Sequence, residues 1–273
     1  MICDVCPRRC NIEEGKNGSC KARGKRGNRI VSLSYAKLTS IALDPIEKKP
    51  LARFHPGSRI LSVGSFGCNM DCPFCQNCSI ASASEDDVRT RRVSPEELAL
   101  MAEELKEDGN IGLAFTYNEP MIGYEYVRDA SLEAKKRELK NVVVTNGCVM
   151  PHILEEVLPS VDAFNIDLKS FSEETYRKLG GDLGTVKNFI KRAAERSHVE
   201  ITTLIVPGMN DSEEEIEALS AWISSVDRSI PLHITRFFPR RRMSDRMPTD
   251  ISLLKRLCST AEKHLDDVLI GNV

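Results

Sequence analysis

Ile60-Leu61-Ser62-Val63-Gly64-Ser65-Phe66-Gly67-Cys68-Asn69-Met70-Asp71-Cys72-Pro73-Phe74-Cys75-Gln76-Asn77 is a short apolar, β-rich run that passes straight into a loop with cysteines spaced C-x3-C-x2-C. Cysteine thiolate is the usual ligand of iron–sulfur clusters. Three thiolates on one loop can hold three irons of a [4Fe–4S] cube and leave the fourth iron open, much as a catalytic zinc site keeps one position free. A structural zinc knuckle is the competing reading of the loop taken alone. Cys78, just beyond, reads as a small buried side chain rather than a fourth ligand.

Outward from this loop a pattern repeats. Apolar runs at Ile60–Val63, Gly112–Thr116, Asn141–Thr145, Ala163–Leu168, Glu200–Val206 and Leu232–Phe238 predict strands. Helical stretches lie between them, over Glu119–Arg137, Pro151–Leu158, Ser172–Leu179, Gly184–Arg196, Asp211–Ser225 and Thr249–Leu265. Ser94-Pro95-Glu96-Glu97 opens another, with an N-cap serine, proline at the first helical position and early acids. Strands alternating with helices imply parallel βαβ units. Near-continuous apolar strands suit a sheet covered on both faces. The fold class expected is α/β, a partial (β/α)6 TIM-type barrel over residues 59–273, because a closed eight-stranded barrel usually needs more chain. Residues 1–58 are expected to form a Cys-rich N-terminal extension packed on it.

Composition narrows the function classes. The chain has 273 residues, 41% hydrophobic and 29% charged, with a net charge of −2. That balance argues for one globular unit, against disorder, and against a general attraction to nucleic acid or acidic membranes. No apolar run approaches the ~20 residues of a membrane span. Met1-Ile2-Cys3-Asp4 lacks the basic-then-apolar pattern of a signal peptide. A cytoplasmic setting is therefore expected, where clustered cysteines read as metal ligands before disulfides.

Four of the ten cysteines, Cys3, Cys6, Cys10 and Cys20, crowd into the first twenty residues. Four thiols this close fit a closed tetrahedral zinc site, and equally a second iron–sulfur cluster. Zinc is favoured here, because a small Lys- and Gly-rich extension needs a staple. Cys148 and Cys258 stand alone and read as inert. Arg240-Arg241-Arg242 reads as a solvated rim, with an acidic docking partner as the alternative.

Active sites of βα barrels lie at the C-terminal ends of the strands. Cys68 follows the first strand, Tyr117-Asn118-Glu119 the second and Thr145-Asn146-Gly147 the third; Asp167 and Lys169 end the fourth, and His233 lies on the sixth. Polar groups at so many strand ends point to one site on one face.

Together these residues resemble the radical S-adenosylmethionine (SAM) superfamily, in its pyruvate formate-lyase-activating-enzyme-like branch. More narrowly the chain is similar to radical SAM enzymes of the AmmeMemoRadiSam system, on its N-terminal cysteines, Pro45-Ile46-Glu47-Lys48-Lys49-Pro50 and Thr116-Tyr117-Asn118-Glu119-Pro120. The resemblance implies a [4Fe–4S] cluster on Cys68, Cys72 and Cys75, with SAM chelated to the open iron. It implies reductive cleavage of SAM and hydrogen abstraction by a 5′-deoxyadenosyl radical, with an electron donor such as flavodoxin or ferredoxin. It places Tyr117, Asn118, Glu119, Thr145, Asn146, Asp167, Lys169 and His233 around SAM. Tyr117-Asn118 replaces the usual pair of glycines, and Val144 stands where activases carry an aspartate near a bound cation. Activation of a glycyl-radical protein is the first expectation for function. A radical enzyme acting on a small metabolite, lipid precursor or RNA is the alternative, and a non-enzymatic iron–sulfur electron-transfer or metal-binding protein the third.

Overall fold

The computed structural model describes residues 1–273. Its strands are β1 (Arg23–Arg26), β2 (Arg29–Ser32), β3 (Lys37–Leu38), β4 (Ser40–Pro45), β5 (Arg59–Gly64), β6 (Arg91–Arg92), β7 (Asn110–Phe115), β8 (Lys140–Thr145), β9 (Ala163–Asp167), β10 (His198–Ile205), β11 (Leu232–Arg236) and β12 (Val268–Gly271). Its α-helices are α1 (Cys78–Ala81), α2 (Pro95–Glu104), α3 (Tyr124–Lys135), α4 (Pro151–Val157), α5 (Glu173–Leu179), α6 (Leu183–Ala194), α7 (Glu213–Val226) and α8 (Ile251–Ala261). No helix is long and apolar enough to cross a membrane.

One sheet runs in the order β4-β5-β7-β8-β9-β10-β11-β12. All neighbours from β5 to β12 are parallel, and β4 pairs antiparallel with β5. The six expected strands are all present. β12 extends the series by a seventh parallel strand, and β4 guards the opposite edge. The two edges do not pair, so the sheet is a partial barrel.

Alternation along each strand splits the apolar residues into two cores. Leu61, Val63, Leu113, Phe115, Phe164 and Ile166 pack outward against the helices. Ile60, Ala114, Val142 and Ala163 pack inward, with Ile46 and Leu51, into a second cluster. Each large side chain so buried is worth ~1.5–3 kcal/mol. Capping is local and clear: Ser94, Ser172, Asp182, Ser212 and Asp250 each accept a backbone N–H at a helix start.

Ile46 and Leu51 belong to a strap, residues 46–58, that crosses the inside of the barrel from β4 towards β12. Buried Glu200 on β10 pins it, accepting the Ala52 N–H at 2.9 Å and the Arg53 N–H at 2.8 Å. Asn165 on β9 donates to the Pro50 carbonyl at 2.8 Å, and Arg53 pairs with Asp267 just before β12. Residues 40–58 are therefore physically continuous with the barrel, through a full ladder with β5 and this strap. The Cys-rich lobe proper ends before β4. Arg23 anchors it to α3 by an ion pair with Glu125 at 2.6 Å, and Tyr35 donates to Asp129 at 2.8 Å.

Burial pushes the Glu200 carboxyl up, but His198, His233 and the two strap N–H groups outweigh it and hold it at about 2. A depressed carboxyl contributes stability that is present above its unfolded value, 4.5, and lost as pH falls through 2. Glu200→Ala is expected to cost about 3 kcal/mol in urea unfolding at pH 7. Its deficit against wild type should shrink as the pH is taken down towards 3; a deficit independent of pH would contradict the assignment.

Candidate active site

Parallel strands deliver their C-terminal ends to one face, and the cysteine loop sits there. Gly67 turns the chain out of β5 at φ +85°, and a Cβ there would meet the Cys20 carbonyl oxygen at 2.4 Å and Ala22 Cβ at 2.8 Å. Only glycine fits both the conformation and the contact. Beyond it the Met70 N–H points at Cys68 Sγ at 3.4 Å, and Asn146 Nδ2 lies 3.7 Å from the same sulfur. The Asp71 N–H bonds to the Leu179 carbonyl at 2.8 Å.

The arginine run is a solvated rim at Arg240 and Arg242, but it is also tied to the cysteine loop. Arg241 reaches 169 residues back to donate to the Cys72 carbonyl at 2.7 Å, and also bonds Ser82 Oγ at 3.0 Å and Asp71 at 2.6 Å. The Arg242 N–H bonds to the Pro73 carbonyl and its guanidinium pairs with Asp71, each at 3.0 Å. Only Arg240 stands free in solvent. At Arg241, packing against the cysteine loop overrides the preference of a charge run for water.

Burial pushes the Cys68, Cys72 and Cys75 thiols up, Cys72 to about 11, while the Lys169 ammonium opposes the shift on all three and Arg241 on Cys72 and Cys75. Burial would depress Lys169 itself, but Asp167, at 2.8 Å, and the Cys72 sulfur hold it above its ordinary range. Three sulfurs facing two fixed cations are a fitting donor set for an anionic thiolate-ligated cluster. No three donor side chains already converge at metal-bonding distance. Metal binding would draw the sulfurs together, as is usual where site and ligand order each other.

Glu119 is the hub of the neighbouring strand ends. Its carboxylate accepts from Thr145 Oγ1 at 2.7 Å, the Asn146 N–H at 2.7 Å and the Met121 N–H at 2.9 Å. Asn146 in turn donates to Asn69 Oδ1 at 2.9 Å, and Asn69 to the Cys148 carbonyl at 2.6 Å. Asn118 clasps the approach to the cysteine loop, accepting the Ser65 N–H at 2.9 Å and donating to the Gly67 carbonyl at 3.1 Å. Tyr117 takes φ +71°, the left-handed conformation natural to glycine. Gly64 makes room for it, since a Cβ there would lie 2.8 Å from the Tyr117 ring. The tyrosine hydroxyl donates to Asp44 Oδ2 at 2.7 Å, and Lys49, 2% exposed, holds the same oxygen at 2.8 Å.

Cys68, Glu119, Thr145 and Asn146 thus form one bonded group, with Asp167 and Lys169 acting on its sulfurs. Tyr117 and Asn118 brace that group from within the protein. His233 is elsewhere engaged, its Nε2 2.6 Å from Glu200 Oε2 beside the strap. Sequence reading missed Asn69, Arg8, Arg241 and Arg242. None carries a motif, and each gains its role only through contacts distant along the chain.

Residues 62–220 match the Radical SAM superfamily, and the chain belongs to it. The chain is 36% identical to an uncharacterized protein of Methanocaldococcus jannaschii, over 99% of this chain and 81% of that one. It is 26% identical to the pyruvate formate-lyase 1-activating enzyme of Escherichia coli, over 60% of this chain and 68% of that one. Among solved structures, Streptococcus suis SuiB bound to S-adenosylmethionine superposes with a TM-score of 0.61 at 14% identity, covering 78% of this chain and 52% of that one. The chain is a radical SAM enzyme with pyruvate formate-lyase activating enzymes among its relatives, and radical SAM enzymes work with a [4Fe–4S] cluster and SAM.

Burial raises Glu119 from 4.5 to about 7 against the pull of its three donors. A raised carboxyl favours the fold below its unfolded value and loses that contribution as pH climbs through 7. In the metal-free chain, Glu119→Ala should therefore lose less stability relative to wild type at pH 8 than at pH 5. An equal loss at both would show that the carboxyl does not titrate in this range. Arg241→Ala should release iron from reconstituted protein to a chelator about 10-fold faster, the scale of effect expected when a group supporting a ligand is removed; unchanged release would show that the Cys72 peptide needs no such tie.

Proposed function

We propose that this chain binds a [4Fe–4S] cluster through Cys68, Cys72 and Cys75, binds SAM at its open iron, and takes a hydrogen atom from a polypeptide substrate. The observation that carries this reading is the bonded group of Cys68, Asn146, Thr145 and Glu119, with Lys169 acting on the same sulfurs. Bound together, cluster and SAM supply a 5′-deoxyadenosyl radical when one electron is delivered, able to attack an unactivated C–H; flavodoxin or ferredoxin is the class of donor we assign. The protein's share is to orient and to exclude water. Lys169 keeps positive charge beside the sulfurs. Glu119 holds the ends of β7 and β8 at a fixed spacing and would hold the methionyl amine of SAM.

Two features support a macromolecular substrate. The sheet stays open between β4 and β12, and exposed apolar side chains, Phe238, Met247 and Ile270, lie on or after the strands at that edge. Such residues gathered near an opening suit a docking partner. The pyruvate formate-lyase 1-activating enzyme, by its name, acts on another enzyme. A glycyl-radical protein is the substrate of first choice. Val144 favours the second reading, a small metabolite, lipid precursor or RNA, because an apolar side chain replaces the cation-binding aspartate of the activases.

Anaerobically reconstituted protein with dithionite and SAM is expected to release 5′-deoxyadenosine, and Cys72→Ala to release none. No product from an intact cluster would refute the enzyme reading. Host extract labelled with α-deuterated glycine then separates the substrates. Deuterium reaching 5′-deoxyadenosine from the dialysed protein fraction supports the first reading, and transfer only from the small-molecule fraction supports the second.

A further inference from the structure

We propose that Cys3, Cys6, Cys10 and Cys20 hold a structural Zn²⁺ immediately behind the cysteine loop, and that this ion fixes the wall against which the loop is built. The second half rests on the reading of Cys68, Cys72 and Cys75 as cluster ligands; the first half does not.

All four thiols line one cavity, together with Val5, Ile12, Ile122 and two arginines, Arg8 and Arg23. Two tight turns bring them there. The Arg9 N–H closes on the Cys6 carbonyl at 3.1 Å, and the Lys21 N–H on the Gly18 carbonyl at 2.9 Å, with Arg9 at φ +43° and Lys21 at φ +61°. The Cys3 N–H then bonds to the Cys10 carbonyl at 2.9 Å, bringing the first and third cysteines alongside each other.

Arg23 adds an independent sign. It is 5% exposed, its terminal nitrogen holds Glu125, and its Nε–H has no acceptor anywhere in the protein. Buried donors are rarely left so. A metal-bound thiolate in this cavity supplies the missing acceptor. Four thiolates around Zn²⁺ carry a net charge of about −2, which Arg8 and the Arg23 Nε–H beside the cavity partly offset.

Four thiols and no other donor are the set a closed tetrahedral zinc site takes. The lobe also lacks a core of its own. Of the six residues in its apolar cluster, Phe66, Ala83 and Ile122 come from outside it. Small units of this kind are held by a metal or by disulfides.

The same atoms make the back of the active-site loop. The Cys20 carbonyl and Ala22 back onto Gly67, and Arg8 Nε donates to the Asn69 carbonyl at 2.7 Å. Asn69 reaches Asn146, which reaches Cys68.

Full-length protein, purified anaerobically and reconstituted with iron and sulfide, is expected to carry about one zinc and about four irons per chain. Cys6→Ser and Cys20→Ser should lose the zinc, whereas Cys148→Ser, a buried thiol outside the cavity, should keep it. The two zinc-free variants should release cluster iron to a chelator about 10-fold faster and show a broadened EPR signal from the reduced cluster. Zinc retained in Cys72→Ala would uphold the site even if the cluster assignment failed. Where the serine variants do not accumulate, a zinc chelator applied to wild type gives the same readouts. About eight irons without zinc, zinc unaffected by Cys6→Ser, or native alkylation of these four thiols at the rate of free cysteine would each overturn the site. Zinc loss with unchanged EPR and iron release would overturn the bracing role.

Discussion

The segment from Gly67 to Cys75 belongs to no helix or strand, and a chain without ladder bonds stays in one place only if its peptides are bonded from outside. Gly67, Asn69, Asp71, Cys72 and Pro73 are. The Gly67 N–H goes to the Ile80 carbonyl at 2.9 Å and its carbonyl receives Asn118. Asn69 offers its carbonyl to Arg8, Asp71 its N–H to Leu179, Cys72 its carbonyl to Arg241 and Pro73 its carbonyl to the Arg242 N–H. The partners come from the N-terminal lobe, the β7 loop, the end of α5 and the segment after β11. Positioning three sulfurs therefore requires the whole barrel, which is why the loop sits where all the strands end.

This division also sets what could be read from the chain alone. The parallel strands were legible because a sheet covered on both faces needs long apolar runs, and Phe164 to Leu168 is one. β4 was not, because Ser40 to Pro45 lies on an edge, half exposed, and takes its place only by pairing with β5. β12 announced itself only as an apolar run near the end of the chain. At the site, the cysteines followed from their spacing, and Glu119, Asn146 and Lys169 from their places at strand ends and the family resemblance. Arg241 did not, because nothing in Arg240-Arg241-Arg242 says which guanidinium will find a carbonyl. His233 kept its place on the sixth strand, but its partner depends on Glu200, whose burial no local pattern announces.

Tyr117 shows how a departure from a family pattern can preserve geometry. A non-glycine residue at positive φ costs of order 1–3 kcal/mol and persists only when its surroundings over-determine it. Here Asp44 holds the hydroxyl, the Lys49 ammonium stands 4.7 Å from the ring centroid, and Gly64 yields the space. The Pro45–Pro50 segment, through Lys49, thus supplies a partner that lets a tyrosine occupy a glycine's backbone conformation. Each replacement makes sense only with the other.

The ties of Cys72 and Pro73 to Arg241 and Arg242 have a consequence for biosynthesis. The cysteine loop leaves the ribosome well before those arginines do, and the strap at Ala52 and Arg53 must wait for Glu200 and Asp267. Contacts of such long sequence separation form late in folding. During synthesis the loop's three thiols are therefore unfastened and open to solvent or to a carrier. They become a rigid cradle only when the last strands have joined the sheet.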